Sequence, residues 1–451
     1  MKKKLIFSII IFVLIFVFIY QILLKKHDIV LDKPNIILIT IDALRADHLS
    51  VYGYKYETSP NIDAFAKNSV LFNYAFCPIP KTSASFASLM TGLHPFIHKT
   101  KPNLGYLQKK YITLAEALRL KGYFNYAIVD NGNLSHKFYF NQGFNKYIEV
   151  WDKIQEKTES TEFITKKALS FLNNNKKKPF FLWLHYIETH TPYLPPKKFI
   201  PKRPEGRDIT KLKKRIIAGT LHERKALKVH HKEGYFISLY DGAIKYIDYE
   251  VGKIIDLFLK NKLEKNTIFI ISSDHGEDLG EYNFYFNHGP LTFTSGIRVP
   301  LIFYMPGIRA KRVNRIVSLM DIYPTLMNIL GLTPAYKLQG KNFFSKNNRK
   351  LFVYGLKSLS VINNDFHYTK VFNQISTLLG IDNKYVFKFK DDPYEKKNLI
   401  SKYTLRAYGF EKLYKKFLSK YGYLTKKKSP NNKKKLSEKD LKSLKTLGYI
   451  N

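Results

Sequence analysis

Asn35-Ile-Ile-Leu-Ile-Thr-Ile-Asp42 is an apolar, largely β-branched run that stops on a carboxylate, and its composition and length predict a strand. Thr267-Ile-Phe-Ile-Ile271 reads the same way and gives way to Ser272-Ser-Asp274-His275-Gly276. In open α/β sheets, ligands bind outside the carboxyl ends of the strands. Asp42, Asp274 and His275 are therefore expected in one cleft, although they lie far apart in the chain. Between the two runs stands Thr82-Ser-Ala-Ser-Phe-Ala-Ser-Leu-Met-Thr91-Gly92, which brings the Thr82 hydroxyl to the same place. The four residues would form a metal site with a built-in hydroxyl nucleophile. A helix is expected from Thr82 through Leu89, with capping as the alternative role for Thr82. The two roles are compatible, because a helix amino terminus also favours an anionic substrate.

Helix and strand patterns alternate, as a mainly parallel sheet requires. Further motifs follow the first run in order: Asp42-Ala-Leu-Arg-Ala-Asp-His-Leu49, Tyr52-Gly-Tyr54, Ser59-Pro-Asn-Ile-Asp63, Leu184-His-Tyr186 and His190-Thr-Pro-Tyr193. Tyr240-Asp-Gly-Ala-Ile-Lys-Tyr-Ile-Asp248, His288-Gly289, Arg298-Val-Pro-Leu301, Asp321-Ile-Tyr-Pro-Thr-Leu326, Leu338-Gln-Gly-Lys341, Asp392-Pro393 and Leu447-Gly-Tyr449 continue the series. On these motifs nearly all of the chain from residue 33 onward resembles the sulfatase family of the alkaline phosphatase superfamily. The resemblance implies an α/β fold, with a mainly parallel central sheet flanked by helices in a catalytic domain at 33–335. A smaller carboxyl-terminal subdomain would follow at 336–425, then a Lys-rich linker at 426–435 and a terminal helix at 436–451.

Sulfatases carry C-x-P-x-R or S-x-P-x-R before A-S-L-L-T-G, and the Cys or Ser becomes formylglycine. Here Thr82 stands at that position, Ala84 replaces the Pro and Phe86 replaces the Arg. Threonine cannot give the aldehyde. Cys77 lies five residues too early and reads as small core filler. Threonine at this place resembles the phosphoryl-transferring relatives, including phosphodiesterases and the enzymes that move phosphoethanolamine or glycerol phosphate on cell envelopes. Lys81 is read as a source of positive charge for the substrate, with a solvated surface lysine as its alternative.

The family's calcium sites use oxygen donors, three Asp and an Asn or Gln. Here Ala43 replaces the second Asp, and His275 brings nitrogen. Asp42, Thr82, Asp274 and His275 thus suit one divalent metal ion, zinc or manganese in preference to calcium or magnesium. His190 and His288 are expected to hold the substrate's anionic oxygens or to protonate the leaving group. Asn131 resembles the Asn of relatives that lack the substrate-binding lysine motif, and its amide would bind a phosphoryl oxygen. Arg45 is placed to reach the rim, while Asp47 and His48 read as structural.

Leu5 to Leu24 carries no charge and is flanked by Lys2-Lys3-Lys4 and Lys25-Lys26. It is long enough to cross a bilayer. With no small-x-small cleavage site behind it, it reads as a single-pass signal anchor. Positive charge is greater on the leading side, which predicts that residues 1–4 are cytoplasmic and that the catalytic domain is exported. The single cysteine excludes an intramolecular disulfide framework. The 75 Lys+Arg against 36 Asp+Glu give a formal charge of +39, which implies anionic partners. For an exported, anchored domain these are an acidic envelope lipid or a charged glycan, and no nucleic acid is expected. The basic stretch from Lys197 to Lys232, which includes His230-His231, is read as a solvated surface helix near the cleft.

The expectation that follows is a membrane-anchored, metal-dependent hydrolase in which Thr82 attacks an ester, phosphoester favoured over sulfate. The alternatives are a phosphoethanolamine- or glycerol-phosphate-type transferase, a formylglycine-independent sulfatase and an inactive glycan- or lipid-binding pseudoenzyme.

Overall fold

The run Asn35–Ile41 forms strand β1, and every residue in it after Asn35 is buried. The computed structural model describes residues 33–421, apart from 155, 176–178, 210–231 and 346–347, together with 438 and 441. The signal anchor at Leu5 to Leu24, the Lys-rich linker, all but two residues of the terminal helix, and His230-His231 lie outside the described residues. Among the described residues no helix is long and apolar enough to cross a membrane.

Eight further strands share a sheet with β1. They are β2 (Val70–Phe76), β3 (Phe124–Val129), β4 (Lys146–Glu149), β5 (Phe180–Tyr186), β6 (Thr267–Ser272), β9 (Arg298–Val299), β10 (Leu301–Tyr304) and β11 (Lys311–Ser318). The order is β11-β2-β10-β6-β1-β5-β3-β4, with β9 paired to β2. β1 runs parallel to both β5 and β6. All residues of β5 and β6 are buried. Strands covered on both faces have no solvent side to encode, so they read as continuous apolar runs.

Alternate residues of β5 show the two coverings. Phe180, Leu182 and Leu184 join a cluster with helices α1 (Pro60–Ala66), α3 (Lys157–Asn174) and α4 (Glu233–Lys260). On the other face Trp183 and His185 meet Phe86 of α2 (Thr82–Thr91) at ring-centroid distances of 5.1 and 4.9 Å. Asp248 of α4 accepts hydrogen bonds from the backbone N–H groups of Asn61 and Ile62 at 3.1 and 2.8 Å. It thereby satisfies donors that the start of α1 leaves open.

The mainly parallel expectation needs one correction. β10 runs antiparallel to both β6 and β2, and β9 antiparallel to β2, so the sheet is mixed. After β6 the chain makes no helical crossover. It forms a short antiparallel pair, β7 (Asp278–Leu279) with β8 (Tyr285–Asn287), and re-enters the sheet through β9 and β10. A chain that returns without crossing over runs back antiparallel.

Four later strands, β12 (Leu351–Tyr354), β13 (Ser358–Ile362), β14 (His367–Val371) and β15 (Lys384–Phe387), form a separate antiparallel sheet. Helix α5 (Thr404–Tyr421) packs on it through Ala407, Phe410 and Tyr414. The described ends of the basic insertion are not the solvated helix expected from composition. Beyond a single turn at Lys197–Phe199, residues 200–207 carry no helix. Arg203 donates to Asp241 of α4 at 2.5 Å and lies 3.8 Å over the Tyr56 ring, while Arg207 donates to the Gly280 carbonyl at 2.8 Å. Arginine forks that find buried or backbone acceptors pin the segment down.

Gly276 shows how closely the loop after β6 is packed. Its N–H donates to the Gly296 carbonyl at 2.9 Å, and a methyl group on it would fall 2.0 Å from the Ser295 carbonyl oxygen. Gly276→Ala is expected to lower stability by about 1–3 kcal/mol. Gly409→Ala in α5, where an added methyl meets nothing within 4 Å, is expected to raise it by up to about 1 kcal/mol. Urea unfolding of the two variants should therefore give midpoints on opposite sides of the parent's.

Candidate active site

β1 and β6 end side by side and carry Asp42, Asp274 and His275 to one place. One ligand atom from each lies within 4.8 Å of the others. His275 Nε2 is 3.7 Å from Asp42 Oδ1, 3.2 Å from Asp274 Oδ2 and 3.2 Å from Thr82 Oγ1. All four residues are fully buried.

The backbone and neighbouring side chains fix each group. Ala43 N and His275 N donate to Asp274 Oδ1 at 3.2 and 3.0 Å. The turn after β1 places Ala43 at φ 54°, and Tyr240 braces it by donating to the Ala43 carbonyl at 2.7 Å. Asp42 Oδ2 accepts from Asn131 Nδ2 at 2.5 Å and meets His185 Nε2 at 3.3 Å. Asp42 Oδ1 and Asp274 Oδ2 are left without hydrogen-bond partners. His275 Nδ1 donates to the Gly276 carbonyl at 2.9 Å, so the neutral ring carries its lone pair on Nε2, facing the carboxylates. Burial pushes His275 down to about 4, which keeps that ring neutral. Burial and then the Asp42 charge push the Asp274 carboxyl well above the usual carboxylate range. Two buried carboxylates beside an unprotonated imidazole nitrogen and a hydroxyl are short of positive charge. This donor set fits a divalent cation.

Three imidazoles meet beside it. The rings of His275 and His288 are 4.1 Å apart, and those of His288 and His190 are 5.0 Å apart. His190 Nδ1 donates to the Thr191 carbonyl at 2.6 Å, and burial lowers that ring to about 3. His288 Nδ1 meets Glu277 Oε1 at 3.1 Å, and its Nε2 is buried without a partner.

A sequence profile of the sulfatase family matches residues 34–332, more than half of the chain. The chain belongs to the sulfatase family. That family hydrolyses ester bonds, and this protein is a hydrolase of that class. A sulfatase of Formosa agariphila is 26% identical over 369 residues, covering 69% of this chain and 72% of its own. An arylsulfatase of Clostridium perfringens is 25% identical, covering 82% of this chain and 90% of its own. Among solved structures, the phosphonate monoester hydrolase of Agrobacterium radiobacter matches with a TM-score of 0.67 at 19% identity, over 87% of this chain and 96% of that one.

Within this sulfatase framework several sequence readings change. Thr82 does not cap α2, because Lys81 occupies the capping position without a side-chain cap bond. Thr82 instead opens the first turn, with its hydroxyl turned to His275. Lys81 is not a solvated surface lysine: it is buried, and burial draws it down to about 8 against the pull of Glu277, Asp42 and Asp274. Phe86 is fully buried against Trp183 and His185. Asn131 is engaged with Asp42, and its Oδ1 accepts from Asn133 N at 2.9 Å. Arg45 joins Asp47, Glu281 and the Glu277 carbonyl at 2.8, 2.7 and 3.1 Å. His48 meets Asp241 at 2.8 Å, and Cys77 is buried.

Two contributors have no role in the sequence reading, although His185 stands within the motif Leu184-His-Tyr186. His185 sits inside an apolar strand, but its register opposite Thr40 brings it to Asp42. Glu277 follows His275 by two residues, and only that spacing hinted at it. Gly289, at φ 108°, holds Lys81 in place from the other side, since a methyl there would lie 2.1 Å from Lys81 Cε. Gly289→Ala is expected to displace the ammonium and lower ester turnover by about tenfold to 10²-fold, close to the loss in Lys81→Met. If turnover by Gly289→Ala matches that of Gly409→Ala, Lys81 has no part in the chemistry.

Proposed function

We propose that this protein is a membrane-anchored, metal-dependent hydrolase that cleaves anionic esters, phosphoesters in preference to sulfate esters, with Thr82 as nucleophile. The observation that carries this reading is the Thr82 hydroxyl, 3.2 Å from His275 Nε2 at the first turn of α2 and beside the unpartnered oxygens of Asp42 and Asp274. Threonine yields no aldehyde, and Phe86 leaves no arginine to support one, which argues against formylglycine chemistry. Asp42, Thr82, Asp274 and His275 would hold one cation, zinc or manganese in preference to calcium or magnesium, because the set includes an imidazole nitrogen. When bound, it supplies the positive charge that favours a threonine alkoxide and polarises the ester.

The chain's own groups account for the remaining steps. The Thr82 oxygen bonds to phosphorus as the leaving oxygen departs with its electron pair. The amino terminus of α2, with the Lys81 ammonium, would draw the ester's anionic oxygens to the site. His190 and His288 stand where they can bind those oxygens or move protons. Water then releases the phosphorylated threonine. Leu5 to Leu24 would anchor the chain with its catalytic domain exported, and the charge of +39 suits an acidic envelope lipid or glycan as substrate.

The test uses the full-length protein in detergent, loaded separately with zinc, manganese and calcium, beside Thr82→Ala. Nitrophenyl phosphate, bis-nitrophenyl phosphate and nitrophenyl sulfate are the substrates. Metal-dependent phosphoester cleavage that falls about 10³-fold or more in Thr82→Ala is expected, with one zinc or manganese per chain by elemental analysis. Sulfate turnover that survives in Thr82→Ala would overturn the nucleophile. A chain with neither activity nor bound metal would instead be a binding protein.

A further inference from the structure

The antiparallel pair β7–β8 places two residues opposite each other that lie outside the set Asp42, Thr82, Asp274 and His275. Asp278 pairs with Asn287, so Glu277, just before β7, and His288, just after β8, face each other at the open end of the pair. Glu277 Oε1 lies 3.1 Å from His288 Nδ1, and both side chains are buried. The pair is held from several directions. Arg45 donates to the Glu277 carbonyl and to Glu281, Arg207 donates to the Gly280 carbonyl, and Ser295 donates to Asp278 at 2.5 Å. His288 N donates to Asn287 Oδ1 at 2.7 Å.

The three neighbouring imidazoles differ in what faces Nδ1. His190 and His275 each set Nδ1 against a backbone carbonyl, which can only accept, so their neutral rings keep the lone pair on Nε2. His288 sets Nδ1 against a carboxyl group, which can both give and take a proton. Its Nε2 has no hydrogen-bond partner among the described residues.

We infer that Glu277 is the positioning residue of His288, and that the two act as a pair which carries the leaving-group proton at Nε2. This rests on the proposed reading of the site. The Glu277 carboxyl holds Nδ1 at 3.1 Å and so sets the direction in which Nε2 faces the leaving oxygen. As the phosphorus–oxygen bond to the leaving group breaks, the leaving oxygen takes its electron pair and the Nε2 proton. In the second half, water bonds to phosphorus, the bond to Thr82 breaks, and the water's proton passes to the Nε2 lone pair.

The experiment compares full-length wild type, Glu277→Gln and Glu277→Asp on phenyl, 4-nitrophenyl and 2,4-dinitrophenyl phosphate, with ¹⁵N spectra of histidine-labelled protein. In Glu277→Gln, kcat for phenyl phosphate should fall by about 10²-fold and that for dinitrophenyl phosphate by about tenfold or less, with KM unchanged. The His288 ring nitrogens should shift while those of His190 and His275 stay. Glu277→Asp should show the same leaving-group order with a smaller loss, and it serves if Glu277→Gln fails to fold by circular dichroism. An equal loss on all three esters, or an unmoved His288 spectrum, would overturn the pair. Should the wild type hydrolyse no ester in a Thr82-dependent way, the reading of the site fails. The ring-nitrogen shifts then decide by themselves whether Glu277 sets His288.

Discussion

Two carboxylates, those of Asp42 and Asp274, are buried next to each other at the ends of neighbouring parallel strands, each with one oxygen that has no hydrogen-bond partner among the described residues. Like charges in a low-dielectric interior repel strongly, and an unsatisfied buried acceptor is destabilising as well. Much of the local architecture can be understood as the means of holding this unfavourable arrangement. The strand pairings set the spacing, Ala43 and His275 commit backbone amides to Asp274, and Asn131 and His185 take the inner oxygen of Asp42. Groups held in this way are pre-organised for a positive charge and for the hydroxyl beside it.

The parts of the fold that the sequence makes legible are those in which burial is symmetrical. β1 and β6 are covered on both faces, and their apolar runs end at the residues that matter. The direction of β10 is not legible, because four apolar residues read the same in either orientation. β7 is two residues long and has no pattern to detect, yet it aligns Glu277 with His288. The same limit applies to the site. Asp42, Asp274 and His275 stand out at strand ends, whereas His185 belongs to an apolar strand and becomes a neighbour of Asp42 only through its register with Thr40. Lys81 was ambiguous for a different reason. Lysines are seldom buried, and nothing local in the sequence tells that Gly289 leaves room for its side chain.

The departures from the family pattern are coherent when taken together. On the proposed reading, threonine at position 82, core packing at Phe86 and a nitrogen donor at His275 would together favour an oxygen nucleophile beside a cation with an imidazole ligand over an aldehyde on calcium. At the described ends of the basic insertion, Arg203 and Arg207 bond to α4 and to the loop at Gly280.

The distribution of the site along the chain has a consequence for assembly. Its contributors run from Asp42 near the start to His288 well past the middle, and the strand that carries Asp42 pairs with β6 only after α4 has been laid down. A partly made or unfolded chain therefore offers scattered carboxylates and imidazoles, none of them in register. If the site holds a cation as proposed, its capture would belong to the finished fold, and the ions present where folding is completed, as much as the donor set, would determine which one is bound.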